Sequence, residues 1–98
     1  MPDPAVHIGA LAVTLHISAS QSLKEKRRVL KSIKDRIRSG FNVSVSEIGG
    51  LDKWQISVIG ASMISNDKNL VTATFEKIIS LIETADGAEI TSRQVEFL

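Results

Sequence analysis

Apolar and polar positions alternate with a period of two over residues 6–18 (VHIGALAVTLHIS), where Leu11, Val13, Leu15 and Ile17 share one parity. This pattern predicts a strand with one buried face. Ala10, Ala12, Thr14 and His16 fall on its opposite, lightly covered face. The period then changes. Residues 22–39 open with Ser22 and Glu25 in the S-x-x-E spacing of a capping box, place Leu23, Val29, Leu30, Ile33 and Ile37 on one helical face, and stop at Gly40. Residues 41–48 (FNVSVSEI) return to a two-residue alternation, with Phe41, Val43 and Val45 opposite Asn42, Ser44 and Ser46. A turn-rich link over 49–53 leads to a strand over 54–65 (WQISVIGASMIS), so the two strands should form a hairpin. Trp54, Ile56 and Val58 hold one parity there, but Ile59, Ala61 and Met63 hold the other. Either a bulge near Gly60 switches the faces or both faces are covered.

Ser65, Asn66 and Asp67 offer caps for a second helix, in which Leu70, Val71, Phe75, Ile78, Ile79 and Ile82 recur at helical spacing up to the Asp86-Gly87 turn. Residues 89–98 (EITSRQVEFL) predict a last strand. The order βαββαβ favours an α+β, ferredoxin-like fold: a four-stranded antiparallel sheet, first and third strands in the middle, both helices on one face. The other face then lacks a helix, and such a face often serves as an interaction surface or is hidden by a second copy. At 98 residues the chain suits a single domain spanning 1–98 with one core.

Charge sharpens this picture more than composition does. The net charge is only +1, yet up to Phe41 eight Lys or Arg stand against three Asp or Glu, and beyond it four stand against eight. On the first helix, Lys24, Arg27, Arg28, Lys31, Lys34 and Arg38 gather on one flank at about 100° per residue. Such a stripe is either an anion surface that follows several phosphates of an RNA or an ordinary solvated face. Lys26 differs, because it falls inside the apolar arc of the same helix. It is included in the candidate nucleic-acid set; its position requires it either to snorkel around the core edge, the commoner outcome, or to point at something specific.

Several chemistries are excluded or unsupported. The chain has no cysteine, hence no disulfide, thiolate metal site or cysteine nucleophile. His7 and His16 are nine residues apart in one strand, which puts them on opposite sheet faces and argues against a shared metal site. Glu47, Asp52, Asp67 and Glu89 read as caps and solvent-facing charge at turns and strand ends. No phosphate-binding glycine loop, H-E-x-x-H or G-x-S-x-G motif occurs, and the glycine-rich, arginine-bearing loop of acylphosphatases, which share the fold, is absent between Ile17 and Leu23. The central strands offer Ala, Thr, Ser, Ile and Val where an RNA-recognition domain of this fold has stacking aromatics. Trp54, at a strand start, reads as core or interface packing rather than a ligand platform. No cofactor, catalytic residue or small-molecule substrate is expected. The first four residues lack a basic leader, and no apolar run approaches the ~20 residues of a membrane span, so a cytoplasmic address is the default.

The run SLKEKRRVLKSIKDRIRSGFNVSVSEI followed by DKWQISVIGASMISND resembles the YlxP-like family of small bacterial proteins over nearly the whole chain. Its most specific parts are the SLKEKRRVL segment from Ser22 to Leu30, the strand FNVSV from Phe41 to Val45, the Trp54-Gln55 pair and Ser65-Asn66-Asp67. The acidic stretch after Ile82 departs from the usual pattern. The resemblance implies a ferredoxin-like fold and genes that often neighbour those for translation initiation and ribosome-maturation factors; it brings no catalytic residues to carry over. The expected function is thus a non-catalytic accessory protein of translation or ribosome maturation, with RNA or a ribosomal particle as partner. The alternative is a protein-interaction or self-associating module using the helix-free sheet face.

Overall fold

The computed structural model describes residues 4–98; residues 1–3, read above for a leader segment, lie outside it. The elements follow the expected order: β1 (His7–His16), α1 (Leu23–Gly40), β2 (Ser44–Gly49), β3 (Ile56–Ser65), α2 (Lys68–Glu83) and β4 (Glu89–Phe97). The strands form one antiparallel sheet in the order β2-β3-β1-β4, with β1 and β3 in the middle. This is the ferredoxin-like α+β arrangement.

The two helices start on side-chain caps, as their sequences require. Ser22 accepts from the Glu25 amide at 3.1 Å, while the Glu25 carboxylate reaches back to the Gln21 amide at 2.8 Å, one residue before the cap. Asp67 accepts from the amides of Asn69 and Leu70. Each cap satisfies donors that an open first turn leaves without partners. Gly40 is the last residue of α1 and not a left-handed stop: the helix closes on Phe41, extended at φ −142°, whose amide donates to the Ile37 carbonyl.

The core lies between the sheet and the helices. Leu11, Val13 and Leu15 of β1 and Ile17 just after it point into it, against Leu30, Ile33 and Ile37 of α1 and Val71, Phe75 and Ile78 of α2. α2 approaches β1 closely at Gly9, where a Cβ would come within 2.6 Å of Val71 Cγ1 and 2.9 Å of Phe75 Cε2.

The parity conflict in the third strand resolves differently from either expectation. β3 pairs with β1 without interruption from His7 opposite Ser65 to His16 opposite Ile56, so no bulge lies at Gly60. The irregularity belongs to β2, between Glu47 and Gly49. Odd positions of β3, including Ser57, Ile59 and Ala61, face the core, whereas Ile56, Val58 and Ile64 share the open face. Gly60 is small because Ile48 lies over it, with Ile48 Cδ1 at 2.9 Å from where a Cβ would stand.

Candidate nucleic-acid interface

The geometry of α1 sorts the predicted cations into three kinds. Lys24, Arg27 and Arg28 are exposed and Lys34 is half-buried, and among the described residues none of the four makes an ion pair. Lys31 and Arg38 are exposed but share Asp35, at 2.6 Å and 3.7 Å. The hydrogen bond from Lys31, reinforced by the charges of Arg38 and Lys34, holds the Asp35 carboxyl below its ordinary value. Arg38 also donates at 3.2 Å to the Val45 carbonyl of β2, the edge strand. The basic flank therefore overhangs the β2 edge, and Arg38 occupies a carbonyl that another strand would otherwise seek.

Lys26 is not part of that surface. Only 1% exposed, its ammonium lies 2.9 Å from Glu47 Oε2 and also donates to the Gly50 carbonyl. Ser57 Oγ, itself fully buried, donates to the same Glu47 oxygen at 2.7 Å. A positive charge enclosed in this way is neutralised by its own partner and offers nothing to a phosphate. Lys26 is accordingly removed from the nucleic-acid set: of its two expected outcomes it does not snorkel but points at specific partners, the Glu47 carboxylate and the Gly50 carbonyl. Glu47, read as solvent-facing, is its counter-ion. Parity held the signal, for Glu47 is two residues from the inward-facing Val45, and Ser57 two from the inward-facing Ile59.

This buried cluster fastens the loop between β2 and β3. Gly50, at φ +70°, presents the carbonyl that Lys26 and the Lys53 amide share. A Cβ there would stand 2.8 Å from the Ile56 carbonyl oxygen, so both its conformation and its surroundings call for glycine. Gln55 Nε2 donates to the carbonyls of Ser18 and Ser20 in the connection leading to α1, and the Gln55 carbonyl accepts from the Ile17 amide at 2.8 Å. Held between these contacts, Trp54 is 54% exposed, which excludes the core half of the core-or-interface packing expected of it.

The sheet face opposite the helices is lined centrally by Ala10, Ala12, Ser44, Gly60 and Ser62, which leave a trough of about 390 Å³. Ile48, 58% exposed, lines it too, and Ile56 and Ile64, 42% and 66% exposed, stand toward the two ends of β3 on the same face. His7 and His16 stand at opposite ends of β1, about 30 Å apart at the rise of an extended strand. No helix among the described residues is long and apolar enough to cross a membrane.

Fold and surface together define a small ferredoxin-like α+β domain with a cationic helix flank and an uncovered sheet face. The family described as "Protein of unknown function (DUF503)" matches residues 8–95, and the chain belongs to that family, the YlxP-like one of the sequence resemblance. It is similar to "Uncharacterized protein YlxP" of Bacillus subtilis (strain 168), with 37% identity over 76 residues, which cover 78% of this chain and 83% of the relative. Among solved structures it is similar in fold to "De novo designed protein Foldit4", with a TM-score of 0.53 and 17% identity over 95% of this chain and 96% of that one. This last likeness concerns the fold alone.

Proposed function

We propose that the protein is a non-catalytic accessory factor of translation or ribosome maturation that acts in the cytoplasm and holds RNA through the outer flank of α1. The observation that carries this reading is the row Lys24, Arg27, Arg28 and Lys34, four cations on one flank that make no ion pair among the described residues, three of them exposed and Lys34 half-buried. A row of this kind neutralises phosphates and releases their counterions, giving steep salt dependence and little sequence preference. Lys31 and Arg38 contribute less, because each must give up Asp35 to a competing phosphate. The test is co-sedimentation with ribosomal particles from a bacterial extract at low and high salt, for the wild type and for Lys24→Gln/Arg27→Gln/Arg28→Gln/Lys34→Gln. Wild-type protein is expected in the particle fractions at low salt only, and the variant in neither. Equal sedimentation of a folded variant would remove α1 from the interface.

A second reading, self-association, is supported by Ile48, Ile56 and Ile64 on the face without a helix. Sedimentation equilibrium at tens of micromolar separates it from the first: a dimer that Ile64→Lys dissociates supports it, and a monomer counts against it.

A further inference from the structure

The basic flank of α1 accounts for phosphate binding but leaves unexplained why the only tryptophan of the chain stands 54% exposed on the loop that Lys26 and Gln55 fasten at the N-terminal end of α1. A large aromatic ring in water on a mobile loop would be unremarkable, but this loop is fastened. Lys26 and the Lys53 amide hold Gly50 at one end, and Gln55 holds the Ser18 and Ser20 carbonyls at the other. Those carbonyls belong to the connection that enters the Ser22 cap of α1, so Trp54 is fixed at the end of the helix where Lys24 and Arg27 begin the cationic row. Lys53 precedes it in the chain, and Leu51, 63% exposed, adds apolar surface.

We propose that Trp54 is a base-stacking platform and that the ligand is single-stranded RNA, its backbone running from the loop over residues 49–55 along the outer flank of α1 toward Arg38. The proposal rests on the RNA reading above and narrows it to unpaired strands, whose bases are free to leave a helical stack. A stacked base needs an aromatic face and a cationic track for the backbone, and the fastened loop brings the first to the end of the helix that carries the second. Bases of a duplex are unavailable to such a platform. Lys24 to Arg38 spans about 21 Å of helix axis, room for a short strand. The fastened loop means that little ordering is left to occur on binding. The strand faces are not used as in RNA-recognition domains, because Ala10, Ala12 and Gly60 provide no ring there.

Since Trp54 is the sole tryptophan, its emission reports stacking directly. The experiment titrates the protein with end-labelled oligouridylate or oligoadenylate of about twelve nucleotides, the corresponding duplex, and inorganic polyphosphate, recording tryptophan emission and, for the labelled RNAs, anisotropy. Trp54→Ala and Trp54→Phe are titrated alongside; circular dichroism checks their folding. Single-stranded RNA is expected to quench the emission, and polyphosphate to bind by competition without quenching. Trp54→Ala should weaken the strand by roughly 5- to 150-fold, the worth of one stacked base. It should leave polyphosphate affinity unchanged, and Trp54→Phe should recover much of the loss. Binding without quenching, with Trp54→Ala unaffected, would overturn the platform and leave the α1 reading intact. Equal affinity for the duplex would overturn the single-stranded assignment. Failure of both RNA and polyphosphate to bind would overturn the α1 reading and the platform with it. Emission that changes with protein concentration alone would overturn the platform in favour of a protein contact at Trp54.

Discussion

Replacing Lys26 by methionine keeps much of the side-chain volume and removes the ammonium. Glu47, whose side chain is 14% exposed, is then left with Ser57 as its donor, and the Gly50 carbonyl keeps only the Lys53 amide. Removing one member of a buried ion pair costs about 3–5 kcal/mol; because Glu47 touches water, the lower end, about 3 kcal/mol, applies here. A domain of this size is stable by about 5–15 kcal/mol, so the loss is a fifth to more than half of the total. It corresponds to a fall of roughly 12–24 °C in Tm. Urea denaturation followed by far-UV circular dichroism measures it. The double variant Lys26→Met/Glu47→Gln separates the pair from mere packing, because glutamine can still accept from Ser57 without leaving a bare charge. It should be more stable than the two single losses added together imply, with a coupling of about 1.5 kcal/mol or more. A cost below about 1 kcal/mol for Lys26→Met, with coupling within about 0.5 kcal/mol of zero, would refute the claim that this pair holds the loop to α1.

Two further outcomes follow from the same geometry. Gly9→Ala drives a methyl group into Val71 and Phe75 and should destabilise the fold by about 1–3 kcal/mol, measurable as a lowered urea midpoint at unchanged slope. Asp35→Asn should act in two directions. Because the folded carboxyl titrates below its ordinary value of 3.8, its small contribution to stability is fully present above that pH and is lost as pH falls through the lower folded value; wild type and variant should therefore converge in stability on acidification. The same substitution releases Lys31 and Arg38, so RNA affinity measured by anisotropy should rise and its salt dependence steepen.

The element order, both caps and the inward face of β1 were legible in the sequence because each rests on local periodicity or on a short-range hydrogen bond. Ser22 and Asp67 cap the helices that their spacing announced. What was not legible depended on register. Whether Ser57 or Ile56 faces the core is decided by pairing with β1, about forty residues away in the chain, and a serine at a core position looks like an outward one until its partner is known. Glu47 shows the same thing from the other side: a carboxylate among core-facing positions is unintelligible without Lys26, which stands on another element. Helical spacing did mark Lys26 as anomalous, since it falls among apolar residues. The exposure of Trp54 had no local signal, because it follows from how Gly50 and Gln55 fasten the loop.

The most direct test of the central claim is the salt dependence of single-stranded RNA binding, wild type against Lys24→Gln/Arg27→Gln/Arg28→Gln/Lys34→Gln. Each neutralised phosphate contributes about −0.7 to the slope of log K against log salt. Engagement of Lys24, Arg27, Arg28 and Lys34 predicts a wild-type slope of about −3, approaching −4 if Lys31 and Arg38 also leave Asp35, and a slope of about −1.5 or flatter in the variant. An identical slope and affinity in a variant that remains folded would contradict the assignment of α1 as the RNA-binding face.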